Sequence, residues 1–186
     1  MIACKAFNPG LVCLGYQFVM GKNVTDKANC RQNGFHCAED PLDCLSYYSD
    51  IHRAVFCLVD AGGNIDEDDC DSKISCTELT ILKELTLDEY FLYSLAFMTD
   101  HPKRQWSCHV HHDKAAACCG YAVVRGIDPV ASGKIGDYLA FAKESVDRSH
   151  IEQIALVRVD GESILPDVWY DVNLNERLTI KSQSLK

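Results

Sequence analysis

Between Gln105 and Phe141 small residues recur at short intervals: Ala115, Ala116, Ala117, Gly120, Ala122, Gly126, Ala131, Gly133, Gly136 and Ala140. Short apolar bursts lie between them, such as Ala122-Val123-Val124 and Tyr138-Leu139-Ala140-Phe141. Such a stretch cannot fill a wide core, because alanine and glycine bring little volume to pack. It suits narrow stacked rungs, where only small side chains fit inside and glycine turns the corners. No exact period is readable, so a compact meander of short strands is the alternative.

The rest of the chain reads mostly as short strands. Ala3–Phe7 and Leu11–Met20 are apolar runs split by the turn Asn8-Pro9-Gly10. Tyr16, Phe18 and Met20 alternate, which gives a strand one aromatic face. Ala54–Val59 has strand length, Ala61-Gly62-Gly63-Asn64 turns the chain after it, and Lys73–Leu85 reads as one or two further strands. Two helices are expected. Asp40 before Pro41 is an N-cap and first helical residue for a short helix to Tyr48. Thr86-Leu87-Asp88-Glu89 is a capping box that opens a helix to about Met98. Its Leu87, Tyr90, Phe91, Leu92, Leu95 and Phe97 go nearly all the way round, so it is buried or pressed on a partner. Near the C-terminus, Asp160-Gly161 between two apolar runs predicts a hairpin. The expected fold is α+β: mostly short β-strands with two helices, and a β-helix-like or meander segment in the C-terminal half. An N-terminal α+β domain over 1–100 precedes a small-residue β segment with a C-terminal hairpin over 101–186, packed on the first.

Composition bounds function. The eleven cysteines include no C-x-x-C pair, and an odd, scattered set is not a disulfide scaffold; they read as reduced, small hydrophobes. No apolar run has the length to cross a bilayer and the N-terminus is no signal peptide, so a cytoplasmic protein is expected. A formal net charge of −9 argues against nonspecific nucleic-acid binding, which needs a basic surface. It permits the opposite relation, in which an acidic protein occupies a basic groove that normally holds nucleic acid. The run Asp66-Glu67-Asp68-Asp69 is the part of the chain best suited to meet such a groove. It lacks both the alternation and the glycine of a calcium loop.

Two histidine sites carry residue types suited to chemistry. In Cys108-His109-Val110-His111-His112-Asp113, a strand would put His109, His111 and Asp113 on one face, a donor set that suits zinc. No second ligand pair stands at a standard spacing, so a polar strip is expected there, with no metal and no cofactor. His36 follows Gly34-Phe35 just before a capped helix, where its imidazole can pin the turn. A Gly-Phe-His turn of this kind also looks like the entry to an ADP-ribosyltransferase core, for which Glu78 and Glu84 are the available glutamates. No catalytic residue is assigned.

The chain carries Cys13-Leu14-Gly15-Tyr16-Gln17-Phe18, Gly34-Phe35-His36, Pro41-Leu42 and Tyr47-Tyr48 in that order. Gly136-Asp137-Tyr138-Leu139 follows, and then Val159-Asp160-Gly161-Glu162 with Ile164-Leu165-Pro166-Asp167-Val168-Trp169-Tyr170. This series resembles an uncharacterised family of phage and prophage proteins, whose longer members carry Ser/Ala/Gly-rich repeats like a β-helix; here the repeats shrink to a remnant. The resemblance implies a phage setting inside a bacterial host. Small acidic proteins of phages often antagonise host defence, so the expected partner is a host protein or ribonucleoprotein. The leading expectation is an anti-CRISPR inhibitor of a type II Cas nuclease that works by direct binding. The alternatives are an ADP-ribosyltransferase-like or zinc-dependent enzyme, and a phage structural or assembly accessory.

Overall fold

The computed structural model describes residues 1–68 and 71–178. Among the described residues the fold is α+β and mostly β, with two helices and several sheets. It divides into two units, Met1–His109 and Val110–Lys186, so the division falls within the His109-Val110 pair. Among the described residues no helix is long and apolar enough to cross a membrane.

In the first unit, β1 (Ile2–Phe7), β2 (Val12–Cys13), β3 (Tyr16–Gln17), β4 (Gly21–Val24) and β5 (Phe35–Ala38) precede a 3-10 helix, Pro41–Ser46. Two long strands follow, β6 (Val55–Glu67) and β7 (Lys73–Leu85), then α1 (Leu87–Asp100). β6 and β7 form an antiparallel hairpin; β1 lies on the free edge of β6, β5 pairs with both β1 and β7, and β4 extends the edge of β7 beside β5. The pairings thus close a ring of four strands. Ala3, Phe7, Phe35, Cys37, Val59, Ile74, Cys76 and Leu79 pack in one cluster of its core, which Phe18 joins.

Local chemistry explains where the expected elements changed. The run around Tyr16 is not one strand: Leu14 and Gly15 both take positive φ (49° and 80°) and turn a two-residue hairpin. The aromatic face survives, with the Tyr16 and Phe18 rings 4.7 Å apart and Phe18 5.1 Å from Phe7. Gly62-Gly63 does not reverse the chain. It makes a bulge inside β6, between Gly62 and Ile65, where Gly63 has φ 71° and Thr77 Oγ1 accepts the displaced Asn64 N–H at 2.9 Å. Asp40 caps the 3-10 helix by accepting Leu42 N–H, with Pro41 next in line, and Thr86 and Glu89 complete the capping box of α1. α1 buries one face, including Tyr90, Phe91 and Leu95, and leaves Leu92 46% exposed. Tyr90 stacks on Phe56 at 3.9 Å and donates its hydroxyl to Pro41 O, joining α1, β6 and the 3-10 helix.

The second unit holds β8 (Val110–Ala116), β9 (Tyr121–Ser132), β10 (Tyr138–Glu144), β11 (Ile151–Arg158), β12 (Trp169–Asp171) and β13 (Glu176–Arg177). β9 pairs in parallel with both β8 and β10. A meander would give antiparallel neighbours, so the β-helix-like alternative describes this segment. Each turn of the coil has a corner: Val110–His112 lie beside Val123–Arg125, Lys114–Ala116 beside Val130–Ser132, and the register shifts between. Successive turns advance by 13 residues (Val110 to Val123) and 17 (Tyr121 to Tyr138). Unequal turns leave no exact period in the sequence. Ala115, Ala122 and Ala131 face the core with Val124, Leu139 and Phe141, as a narrow interior requires. β11 closes the coil antiparallel to β10, and β12 lies antiparallel on Val130 and Ala131.

Asp160-Gly161 does not make a hairpin between β11 and β12. Asp160 Oδ1 accepts the N–H groups of Glu162, Ser163 and Ile164 (2.8, 2.9 and 2.9 Å), which winds the chain into a tight loop. The strand beyond it pairs with β9 and β13 instead.

Candidate functional site

Asp66 and Glu67 are the last residues of β6, and Asp68 follows them. Asp66 Oδ2 accepts Cys30 N–H at 2.6 Å, and Asp68, with 6% of its side chain exposed, pairs with the Arg31 guanidinium. Arg31 also lies 3.7 Å from Asp71. Glu67 is exposed, and Asp69 lies outside the described residues. The run is therefore a braced tip: two of its carboxylates fasten the segment around Cys30-Arg31. Burial, with Asp68 next, raises the Cys30 thiol, which lies 4.0 Å from that carboxylate.

The histidine-rich stretch does not form one face. His109 ends the first unit, 3.1 Å from Ser46 Oγ. His111 and His112 lie on β8, and Asp113 has φ 59° at the corner of the coil, where strand alternation stops. His112 Nδ1 is 2.6 Å from Asp113 Oδ2, and its Nε2 is 3.1 Å from Arg148. Among the described residues no group of three or more His, Cys, Asp or Glu side chains is placed to hold a metal ion.

His36 pins the turn before it. Its Nε2 accepts Arg31 N–H at 3.0 Å, which leaves Nδ1 as the protonated nitrogen of a neutral ring. Burial first, then Lys73 and Lys5, push the imidazole from 6.5 down to about 4. His36 also lines a cavity of about 240 Å³ with Lys5, Cys13, Tyr47, Tyr48 and Lys73. Neither Glu78, paired with Lys22 at 2.8 Å, nor Glu84 lines it.

The cavity exists because β1 and β5 pair only through Cys4 and Ala38. Beyond that pair, Lys5 Nζ reaches across and donates to His36 O at 2.6 Å. Its Nζ lies 3.7 Å from Cys13 Sγ and 5.1 and 5.2 Å from the Phe7 and Phe18 rings. Tyr48 donates its hydroxyl to the same sulfur at 3.2 Å, and burial raises that phenol well above its ordinary value. Lys73 Nζ lies 4.1 Å over the Tyr47 ring. Lys5 does not stand out in the sequence as a site residue. The signal was present: in Ala3-Cys4-Lys5-Ala6-Phe7, alternation puts a lysine on the face of Ala3 and Phe7, which face the core.

A second, more polar cavity of about 620 Å³ lies by Asp40, Asp43, Asp71, Arg104, Trp106 and Cys108. Asp43 Oδ2 accepts both the N–H and the hydroxyl of Ser72, at 3.2 and 2.6 Å. Burial, with the charge of Asp43 next, lifts the Asp40 carboxyl from 3.8 to about 6. Arg104 is held by Glu39 at 2.7 Å.

Neither a curated protein nor a solved structure matches the chain. A family model described as a domain of unknown function, DUF7666, matches residues 1–93, the half of the chain that carries the ring, the acidic tip and the cavity at Lys5. The chain belongs to the DUF7666 family.

Proposed function

We propose that the chain is a phage-encoded binding protein that antagonises host defence by contact, in the host cytoplasm, with a type II CRISPR–Cas nuclease as its partner. The braced acidic tip is the observation that carries this reading. Asp66 and Asp68 are fixed by Cys30 N–H and Arg31, so the exposed Glu67 between them is held by its two neighbours before any partner arrives. With a net charge of −9, the protein would be steered toward a basic groove, and steering acts mainly on the association rate.

The test premixes the protein with guide-loaded nuclease. Suppressed DNA cleavage supports the reading; undiminished cleavage by several type II nucleases at excess protein overturns that partner. The Glu67→Lys variant tests the tip. It should slow association and flatten its salt dependence while unfolding as the wild type does. A second reading, an assembly accessory of the phage particle, is favoured by the parallel coil of β8, β9 and β10. Its presence in purified particles would select that reading over the first.

A further inference from the structure

We propose that the cavity between β1 and β5 is a binding site for a small organic oxyanion, whose anionic group sits on Lys5 and whose apolar body lies along Tyr47 and Tyr48. Lys5 is 4% exposed, and no carboxylate among the described residues forms an ion pair with it. Its ammonium carries three N–H groups, of which His36 O and Cys13 Sγ take two. A charge taken out of water without a counter-ion is strongly unfavourable, and aromatic faces compensate only part of that. An anion in the adjoining cavity supplies the missing partner.

The cavity wall carries two lysines against one carboxylate. Lys73 lies on its wall as a second cation, and the two lysines together help keep His36 neutral. Asp43 also lines the cavity, but its Oδ2 is held by both donors of Ser72. At about 240 Å³ the space falls below the roughly 300–1,000 Å³ of drug-sized sites, so a compact ligand is expected. Tyr47 and Tyr48 offer flat, mostly apolar faces to the ligand's body, and the Tyr48 hydroxyl is already committed to Cys13. Carboxylate and phosphate esters share this chemistry.

The experiment uses the full chain with benzoate, phenyl phosphate, inorganic phosphate and neutral benzyl alcohol as probes. Binding is followed by calorimetry, and the cavity is mapped by the rate at which iodoacetamide alkylates Cys13. Benzoate or phenyl phosphate should bind at least about tenfold more tightly than benzyl alcohol, a difference of about 1.4 kcal/mol. Either should slow alkylation of Cys13 and leave that of Cys108 unchanged. A preference for benzoate identifies a carboxylate as the natural group, and a preference for phenyl phosphate a phosphate ester. Lys5→Met should abolish the binding. Lys73→Gln, on the wall rather than at its base, should weaken it several-fold and provides the test if Lys5→Met does not fold. Equal binding of benzyl alcohol, unprotected Cys13, binding of inorganic phosphate alone, or unchanged affinity in both lysine variants would each overturn the proposal.

Discussion

Arg125 on β9 and Glu144 at the end of β10 form an ion pair at 2.8 Å, with 4% and 3% of their side chains exposed. Glu144 Oε2 makes no hydrogen bond, and Arg148 Nε stays 3.9 Å from it. A buried pair of this kind contributes little net stability, but breaking it strands a charge. Arg125→Met is expected to cost about 3–5 kcal/mol, because Glu144 is left buried beside a thioether. Arg125→Met combined with Glu144→Leu should recover most of that loss. Urea unfolding of both variants checks this. A double variant as unstable as the single one would show that Arg125 acts through packing and not through charge.

His36 and Asp40 give opposite pH dependences that overlap. His36 falls from 6.5 to about 4 on folding, so the unfolded chain binds its proton more readily within that window. Its contribution to stability therefore rises with pH from about 4 to 6.5, by at most about 1.4 kcal/mol per pH unit. Asp40 rises from 3.8 to about 6, so the folded chain is the stronger proton binder and its contribution falls across that range. The wild type should be nearly level between about 4 and 6 as far as these two groups act. His36→Gln should expose the falling limb. Asp40→Asn, which keeps the cap, should expose the rising one. Urea midpoints across the window decide; parallel profiles for all three proteins would remove both assignments.

What was legible in the sequence was local. The capping box at Thr86, the cap at Asp40 and the small side chains inside the coil all follow from neighbouring residues, whereas the sequence left coil and meander as alternatives. Partner choice between strands was not legible. Asp160-Gly161 carries a hairpin signal, yet β12 pairs with β9 because its register on Val130 and Ala131 buries Tyr170. The acidic run read as free surface because Arg31, which neutralises Asp68, lies 37 residues away in sequence. Lys5 is hidden in the sequence for a related reason. The carbonyl that draws it inward belongs to His36, on a strand that β1 meets at a single pair.

Gly126 marks the corner of the coil. A Cβ there would fall on the Asp113 carboxylate and within 3.2 Å of its Cα, which cannot swing aside as a side chain could. Gly126→Ala is expected to cost about 1–3 kcal/mol by overpacking. Asp113→Gly should restore much of it, since it removes the obstructing carboxylate and relieves the positive φ of 59°. Thermal unfolding of the single and double variants is the measurement. A neutral Gly126→Ala would mean that the corner is slack.

Thiol reactivity should sort by unit position and burial. Cys108, Cys118 and Cys119 are exposed, whereas Cys4, Cys37, Cys44, Cys57 and Cys76 are buried in the first unit. The attacking species is the thiolate, so burial acts twice, by blocking access and by disfavouring the anion. Burial, with Glu84 next, pushes the Cys57 thiol up to about 12. A side-chain hydrogen bond with Cys44, with burial next, raises the Cys4 thiol well above its ordinary value. Among the described cysteines, brief treatment of the native protein with iodoacetamide should label Cys108, Cys118 and Cys119 first. Cys4 and Cys57 should react only at the rate of global unfolding, because they stand opposite one another's neighbours in the β1–β6 ladder, where Cys4 pairs with Leu58 and Lys5 with Cys57. Peptide mass spectrometry along a denaturant series reads this directly. Labelling of Cys57 as fast as Cys108 in the absence of denaturant would mean that β1 detaches from β6 without unfolding the rest, and that the wall of the cavity at Lys5 opens with it.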